Sequence, residues 1–306
     1  MTQPAGPAAV ETQNITKRFG KRVVLDDVSI RVEKADFFGI IGPNGAGKTT
    51  LINTILGAIA PTSGSVRILG LDPRPRNVEI LSRIGVQPQR SAFFTRSTAH
   101  EHLSTVAAMY GADSKAVDSA FESMGLDEIR NIRVDKLSGG QQQRLAIASA
   151  IVHAPEVLFL DEPTAALDTR GRHDLLDELR KFKAQGTTLV YTTHHLDEVQ
   201  RICNRVAIVE HGRLVATGSP KSLIDESGLP PTILLPFAQH QIDAIAAMPS
   251  VTGWDVVPDG VRVTVAGVAE AFDDFRRADI LLGGAEVRPV GLEQVFLQLT
   301  GREYTV

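Results

Sequence analysis

The chain has 306 residues, with 32 Lys and Arg against 36 Asp and Glu for a formal net charge of −4; that is length for about two domains, with no electrostatic bias toward nucleic acid. Hydrophobic residues make up 43%, yet long apolar stretches are interrupted, as His153, Pro155 and Glu156 interrupt residues 145–160, so no segment reads as a membrane span. Residues 1–9, rich in Pro, Ala and Gly, lack the basic cluster and apolar run of a secretory signal and are expected to be disordered, which points to the cytoplasm, while the single cysteine, Cys203, cannot form an internal disulfide and reads as core filler in a helical pattern with Val199, Ile202 and Val206.

Three short apolar strands are expected at residues 37–41, 157–160 and 188–191, each followed by a turn and a helical pattern. Buried strands alternating with helices predict an α/β fold with a largely parallel sheet, whose ligand sites lie at the C-terminal ends of the strands. The first strand runs into Gly42-Pro43-Asn44-Gly45-Ala46-Gly47-Lys48-Thr49, and a helical pattern follows over residues 51–56. Strand, glycine-rich loop and helix together match the phosphate loop: backbone N–H groups converge on phosphate oxygens, Lys48 adds a point charge and Thr49 can ligate magnesium.

Residues 93–150 read as a helical insertion, with Leu145, Ala146 and Ser149 on one face and Thr98 and Glu101 as a capping pair. Within it, Leu137-Ser138-Gly139-Gly140-Gln141 precedes a helix. Ser138 and Gln141 form a capping box, which explains the helix start by itself; the two glycines would also let a phosphate from outside the chain approach a positively polarised helix end. Both readings stand at this level.

The second strand ends in Asp161 and Glu162, which beside a phosphate loop suits one acid to hold magnesium and its neighbour to orient or deprotonate water. Asp168 would cap the amphipathic helix carrying Leu175, Leu176, Leu179 and Phe182. Beyond the third strand, His194 is placed to hydrogen-bond phosphate.

From about residue 10 to 220 the chain resembles the nucleotide-binding subunit of ABC transporters, with that family's short motifs present in order. The resemblance implies that residues 42–50, including Thr50, and Asp161 are the nucleotide motifs and that Ser138, Gly139, Gly140 and Gln141 belong to a signature contributed in trans. Glu162 would be the catalytic carboxylate. Gln89, in Ile84-Gly85-Val86-Gln87-Pro88-Gln89, would touch magnesium or the lytic water and sense the permease. Ala165-Ala166-Leu167-Asp168 resembles the D-loop, His194 the γ-phosphate sensor, and Phe19, in Lys17-Arg18-Phe19-Gly20, the ring stacked on adenine, where tyrosine is commoner. The family often has glycine where Ala35 precedes Asp36.

After residue 220, Gly228, Pro230, Pro231 and Pro236 mark a boundary, and the order strand, helix, strand, strand, helix, strand predicts a small α+β, ferredoxin-like domain over residues 221–306. Strand-like residues 261–265, helix-like 269–280 and a final helix over 292–299 fall in this tail, whose Val295, Phe296 and Leu299 should be buried. The last helix is similar to the closing segment of ABC-2-type, daunorubicin-resistance-class exporter ATPases. The resemblance therefore implies a P-loop NTPase that binds ATP and Mg2+ in a homodimer and drives a separate multi-span permease from the inner membrane face. Two rival functions stay open. A soluble ABC ATPase working on ribosomes or DNA would call for paired cassettes or a coiled-coil insertion, which this chain lacks, and Glu162 argues against a nucleotide-gated regulator without turnover.

Overall fold

Two long strands with intermittently buried positions open the fold, β1 (Val10–Phe19) and β2 (Arg22–Val32). The structure, a computed structural model, describes residues 8–236 and 238–301. The expected disorder over residues 1–9 falls outside the described residues except at its end, where it is corrected: Ala8 and Ala9 are buried, and the Ala9 amide donates to Val32 O at 2.9 Å. Small apolar side chains fit under the sheet there and extend the pairing by one bond.

The chain continues through β3 (Phe37–Ile41), α1 (Lys48–Ile55), β4 (Ser63–Ile68), α2 (Val78–Leu81) and β5 (Ile84–Gln87). Three helices follow in the expected insertion, α3 (Ala99–Met109), α4 (Ser114–Ser123) and α5 (Gly139–Ile151). The Thr98 capping box starts α3, with both reciprocal hydrogen bonds made. Then come β6 (Val157–Asp161), α6 (Thr169–Ala184), β7 (Thr188–Thr193), α7 (Leu196–Ile202), β8 (Arg205–Glu210) and β9 (Arg213–Gly218).

Strands β5, β6, β7, β3, β8 and β9 form one sheet in that order, parallel except for β9 at its edge. Every residue of β3, β6 and β7 is buried, as expected of strands covered on both faces. A second, antiparallel sheet of order β2-β1-β4 packs into the same core: Ile15, Leu25 and Val28 join Phe38, Ile40, Phe159 and Val190, with Leu51, Ile52 and Ile55 of α1 among them. Helix α1, and the loop that starts it, is thereby held by buried apolar contacts on several sides.

Cys203 is buried as expected but its neighbours need correction: α7 stops at Ile202, Cys203 is extended, and Val206 lies in β8. The chain turns there because the Asn204 amide donates to Phe37 O and the Asn204 side chain accepts from the Phe37 amide, which together pin the entry to β8 against β3.

The chain divides into two compact units, the second beginning at Lys221. It holds most of α8 (Pro220–Ser227), then β10 (Thr232–Leu235), α9 (Ile242–Ala246), β11 (Val251–Val257), β12 (Gly260–Val265), α10 (Val268–Arg277), β13 (Glu286–Arg288) and α11 (Leu292–Thr300). The sheet order β11-β12-β10-β13, antiparallel throughout, is the ferredoxin-like arrangement. Its core is apolar, built from Ile233, Leu235, Val261, Val263, Val265, Ala271 and Phe275. Val295 and Phe296 are buried, but Leu299 is exposed: it shares the helix face of Leu292, Val295 and Phe296 but lies in the last turn of α11, past the part of that face that is covered.

Candidate nucleotide site

Register alone brings the distant motifs together. Ile41 at the end of β3 pairs with Thr193, Asp161 at the end of β6 pairs with Thr192, and Gln87 at the end of β5 pairs with Leu160. The loop after β3, the acids after β6, the histidine after β7 and the glutamine after β5 thus leave one edge of the sheet side by side.

The loop wraps tightly before α1. Gly47 has φ 105°, outside what a side chain tolerates, and a Cβ there would lie 3.0 Å from the Val24 carbonyl oxygen. The same oxygen would be 2.0 Å from a Cβ on Gly212, whose amide donates to Ala46 O at 2.9 Å. The β8–β9 hairpin turn, with His211 and Gly212 both at positive φ, therefore braces the loop from outside. Lys48 folds back over it, Nζ donating to Gly42 O at 2.8 Å.

Lys48 and Glu162 form an almost fully buried ion pair, Nζ to Oε1 at 3.2 Å with side chains 4% and 9% exposed. His194 Nδ1 stands 3.5 Å from the same Oε1, and Gln89 Nε2 donates to Oε2 at 3.4 Å. Glu162 is held in the left-handed backbone region, φ 50°, a conformation that surrounding contacts must enforce. Thr192 does this: its Oγ1 accepts from the Glu162 amide at 3.0 Å and donates to Asp161 Oδ1 at 2.6 Å. Burial pushes the Asp161 carboxyl above its usual range, opposed by hydrogen bonds from Thr192 and Thr49 and by Lys48, with Glu162 adding to the rise.

Asn44, Gly45, Gly47, Lys48, Thr49, Thr50, Gln89 and Glu162 line one cleft of about 370 Å³, together with Arg22 and Val24. Phe19, Ser138–Gln141 and Asp168 do not line it. Phe19 is half exposed at the end of β1 with Lys17 Nζ 4.7 Å from its ring centroid. Ser138 makes its capping box with Gln141, and nothing lies within 4 Å of where a Gly139 side chain would begin, so the start of α5 is open on that side. Asp168 caps α6, accepting from the Gly171 amide at 2.8 Å. Gln87, two residues before Gln89, is buried and donates to Pro88 O at 2.6 Å.

Sequence reasoning missed Thr192, Gly212, Arg22 and Val24. The His-Gly pair between two strand-like runs signals a hairpin, which locates Gly212 in a turn but not against the loop. Thr192 acts on residues 30 and 31 positions away, and no local pattern marks that.

A parallel sheet with a glycine-rich loop, a buried lysine and acids at adjacent strand ends defines a P-loop nucleoside triphosphatase. The family model "ABC transporter" matches residues 25–165. The chain is 34% identical to the Nod factor export ATP-binding protein I of Sinorhizobium fredii over 99% of this chain and 89% of that protein. Among solved structures, cbiO1 of Clostridium perfringens, part of an ABC transporter complex, aligns with TM-score 0.66 at 27% identity over 72% of this chain and 92% of that one. A dimeric ATP-binding cassette in a post-hydrolysis state bound to ADP and Pi aligns with TM-score 0.62 at 27% identity over 69% and 98%. The chain belongs to the ATP-binding subunits of ABC transporters, and it is an ATPase. Among the described residues no helix is long and apolar enough to cross a membrane.

Proposed function

We propose that two copies of this chain close head to tail around two ATP molecules, on the cytoplasmic face of a membrane, and drive an exporting permease whose cargo is drug-like or lipid-like. Export is supported by the relative matched over nearly the full chain, tail included, whose name is an export protein's. The head-to-tail pairing is supported by a cleft that holds only half of the site: Asn44, Gly45, Gly47, Lys48, Thr49, Thr50, Gln89 and Glu162 line it, while the open start of α5 at Ser138–Gln141 does not. In the dimer the α5 start of one copy would face the loop of the other, its amides and helix end meeting the γ-phosphate.

The observation that carries the catalytic reading is the convergence on one carboxylate, Glu162, of Lys48, Gln89 and His194 beside the phosphate loop. Lys48 and the loop amides of 42–50 bind the β- and γ-phosphates, Phe19 stacks on the base, and Glu162 takes a proton from the attacking water. His194 steadies the charge that grows on the γ-phosphate oxygens, and Gln89 orients the water. Asp168 carries the D-loop to the neighbouring copy while capping α6.

The oxygens at hand also suit magnesium. Asp161 is a carboxylate whose charge burial disfavours, beside the Thr49 hydroxyl, and Gln89 adds an amide oxygen. No cluster of three His, Cys, Asp or Glu forms a metal cage among the described residues, which fits a cation held largely by phosphates and water. Bound with ATP, magnesium neutralises phosphate charge.

The test is Glu162→Gln, which keeps the shape of the side chain but removes the base. ATP binding should persist, phosphate release should fall by about 10²-fold or more, and an ATP-dependent dimer should accumulate in size-exclusion chromatography. Full turnover in this variant would assign the base elsewhere.

A further inference from the structure

Outside the cleft, another buried carboxylate joins the strand that leads to His194 with α6. Glu198, in the first turn of α7, has a side chain with no exposed surface. Its Oε2 accepts from Tyr191 Oη at 2.5 Å and from Thr193 Oγ1 at 2.8 Å, so it grips β7 directly before His194. Thr193 Oγ1 in turn accepts from the His195 amide at 2.9 Å, which fixes the backbone directly after His194.

The other oxygen faces α6. Oε1 lies 3.4 Å from Arg172 Nε, an ion pair whose alignment falls short of a hydrogen bond. Arg172 sits one turn into α6, its amide donating to Asp168 O at 2.9 Å. Tyr191 Oη also stands 3.4 Å from Thr164 Oγ1, in the turn that leads from Glu162 to Asp168. Burial pushes the His195 imidazole below its usual range, with Glu198 opposing that shift and Arg172 and His194 adding to it. With the imidazole neutral, Arg172 is left as the counter-charge of Glu198.

A carboxylate buried for packing alone would be replaced at no loss by an apolar side chain, since the desolvation of a buried ion pair offsets much of its attraction. What Glu198 does that leucine could not is hold two hydroxyl donors of β7 and the charge of Arg172 on α6 in one geometry. We propose that Glu198 is a positioning residue for hydrolysis, setting the strand end that carries His194 and tying it to the 162–168 turn and the start of α6. This deepens the reading of His194 as the γ-phosphate contact and rests on it.

Four variants test the proposal: Glu198→Gln, Arg172→Gln, Tyr191→Phe and His194→Ala. ATP titration should give one site per chain and near-native affinity in the first three. Glu198→Gln and Arg172→Gln should each lower kcat by about tenfold or more with KM for ATP unchanged, and the double variant should be no slower than Glu198→Gln alone, because both act through one contact. Tyr191→Phe, which removes a single donor, should lie between Glu198→Gln and the native chain, and carries the test if the glutamine variant does not fold. A loss of rate that tracks a loss of ATP-binding stoichiometry would reduce Glu198 to a structural residue, and multiplied losses in the double variant would sever it from α6. If His194→Ala stops hydrolysis while Glu198→Gln and Tyr191→Phe are unaffected, this inference fails alone; if His194→Ala is fully active, the reading of His194 fails with it.

Discussion

The two units bury different things. In the first, Lys48, Asp161, Thr192, Thr193 and Glu198 are all buried at or beside one edge of the sheet, each satisfied by a neighbour or charge-paired. In the second, Ser250 is the one buried polar residue among those described, and the core is aliphatic and aromatic. Apolar burial is enough to make a fold, whereas buried charge is costly and is kept where it is used. The contrast locates the chemistry in the first unit without reference to any motif.

Lys48→Ala should break the comparison most severely from the first side. It removes the phosphate contact and leaves Glu162 buried without its partner, and ATP affinity measured by calorimetry should fall by roughly 10³-fold; near-native affinity would mean the buried pair is only structural. From the second side, Phe275→Ala should destabilise the ferredoxin-like unit by about 3–4 kcal/mol in denaturant unfolding. The same variant should bind ATP as tightly as the native chain, and a matching drop in affinity would show that the apolar unit helps to build the site. Phe19→Ala should have the smallest effect, about 1–2 kcal/mol of ATP affinity lost with binding of free triphosphate unchanged. No change would make Phe19 a surface residue of the first hairpin.

Strands β3, β6 and β7 were legible because they are continuous apolar runs closed by a turn, as residues 37–41 are, whereas β5, which leads to Gln89, is four residues long and interrupted by Gly85. Strands β1, β2 and β4 were not, since register shifts interrupt their pairing and their apolar positions are spaced irregularly. The site was legible wherever its chemistry is local, as in the loop from Gly42 to Thr50 and the adjacent pair Asp161 and Glu162. It was opaque where the contact crosses the fold: Thr192 on Glu162, Gly212 against Val24, and Glu198 beside Arg172 join elements that only the sheet brings together.

The central claim is that each ATP site is built by two chains, and mixing two inactive variants tests it. Lys48→Ala spoils the loop half of a site, and Ser138→Arg, placed at the open start of α5, spoils the half offered to the neighbour. Each variant alone should hydrolyse almost no ATP. Mixed, they should form dimers in which one site pairs an intact Lys48 with an intact Ser138, so ATPase activity should reappear and rise with the fraction of mixed dimer. If Ser138→Arg is fully active by itself, or if mixing restores nothing while both variants bind to each other, the shared site is contradicted.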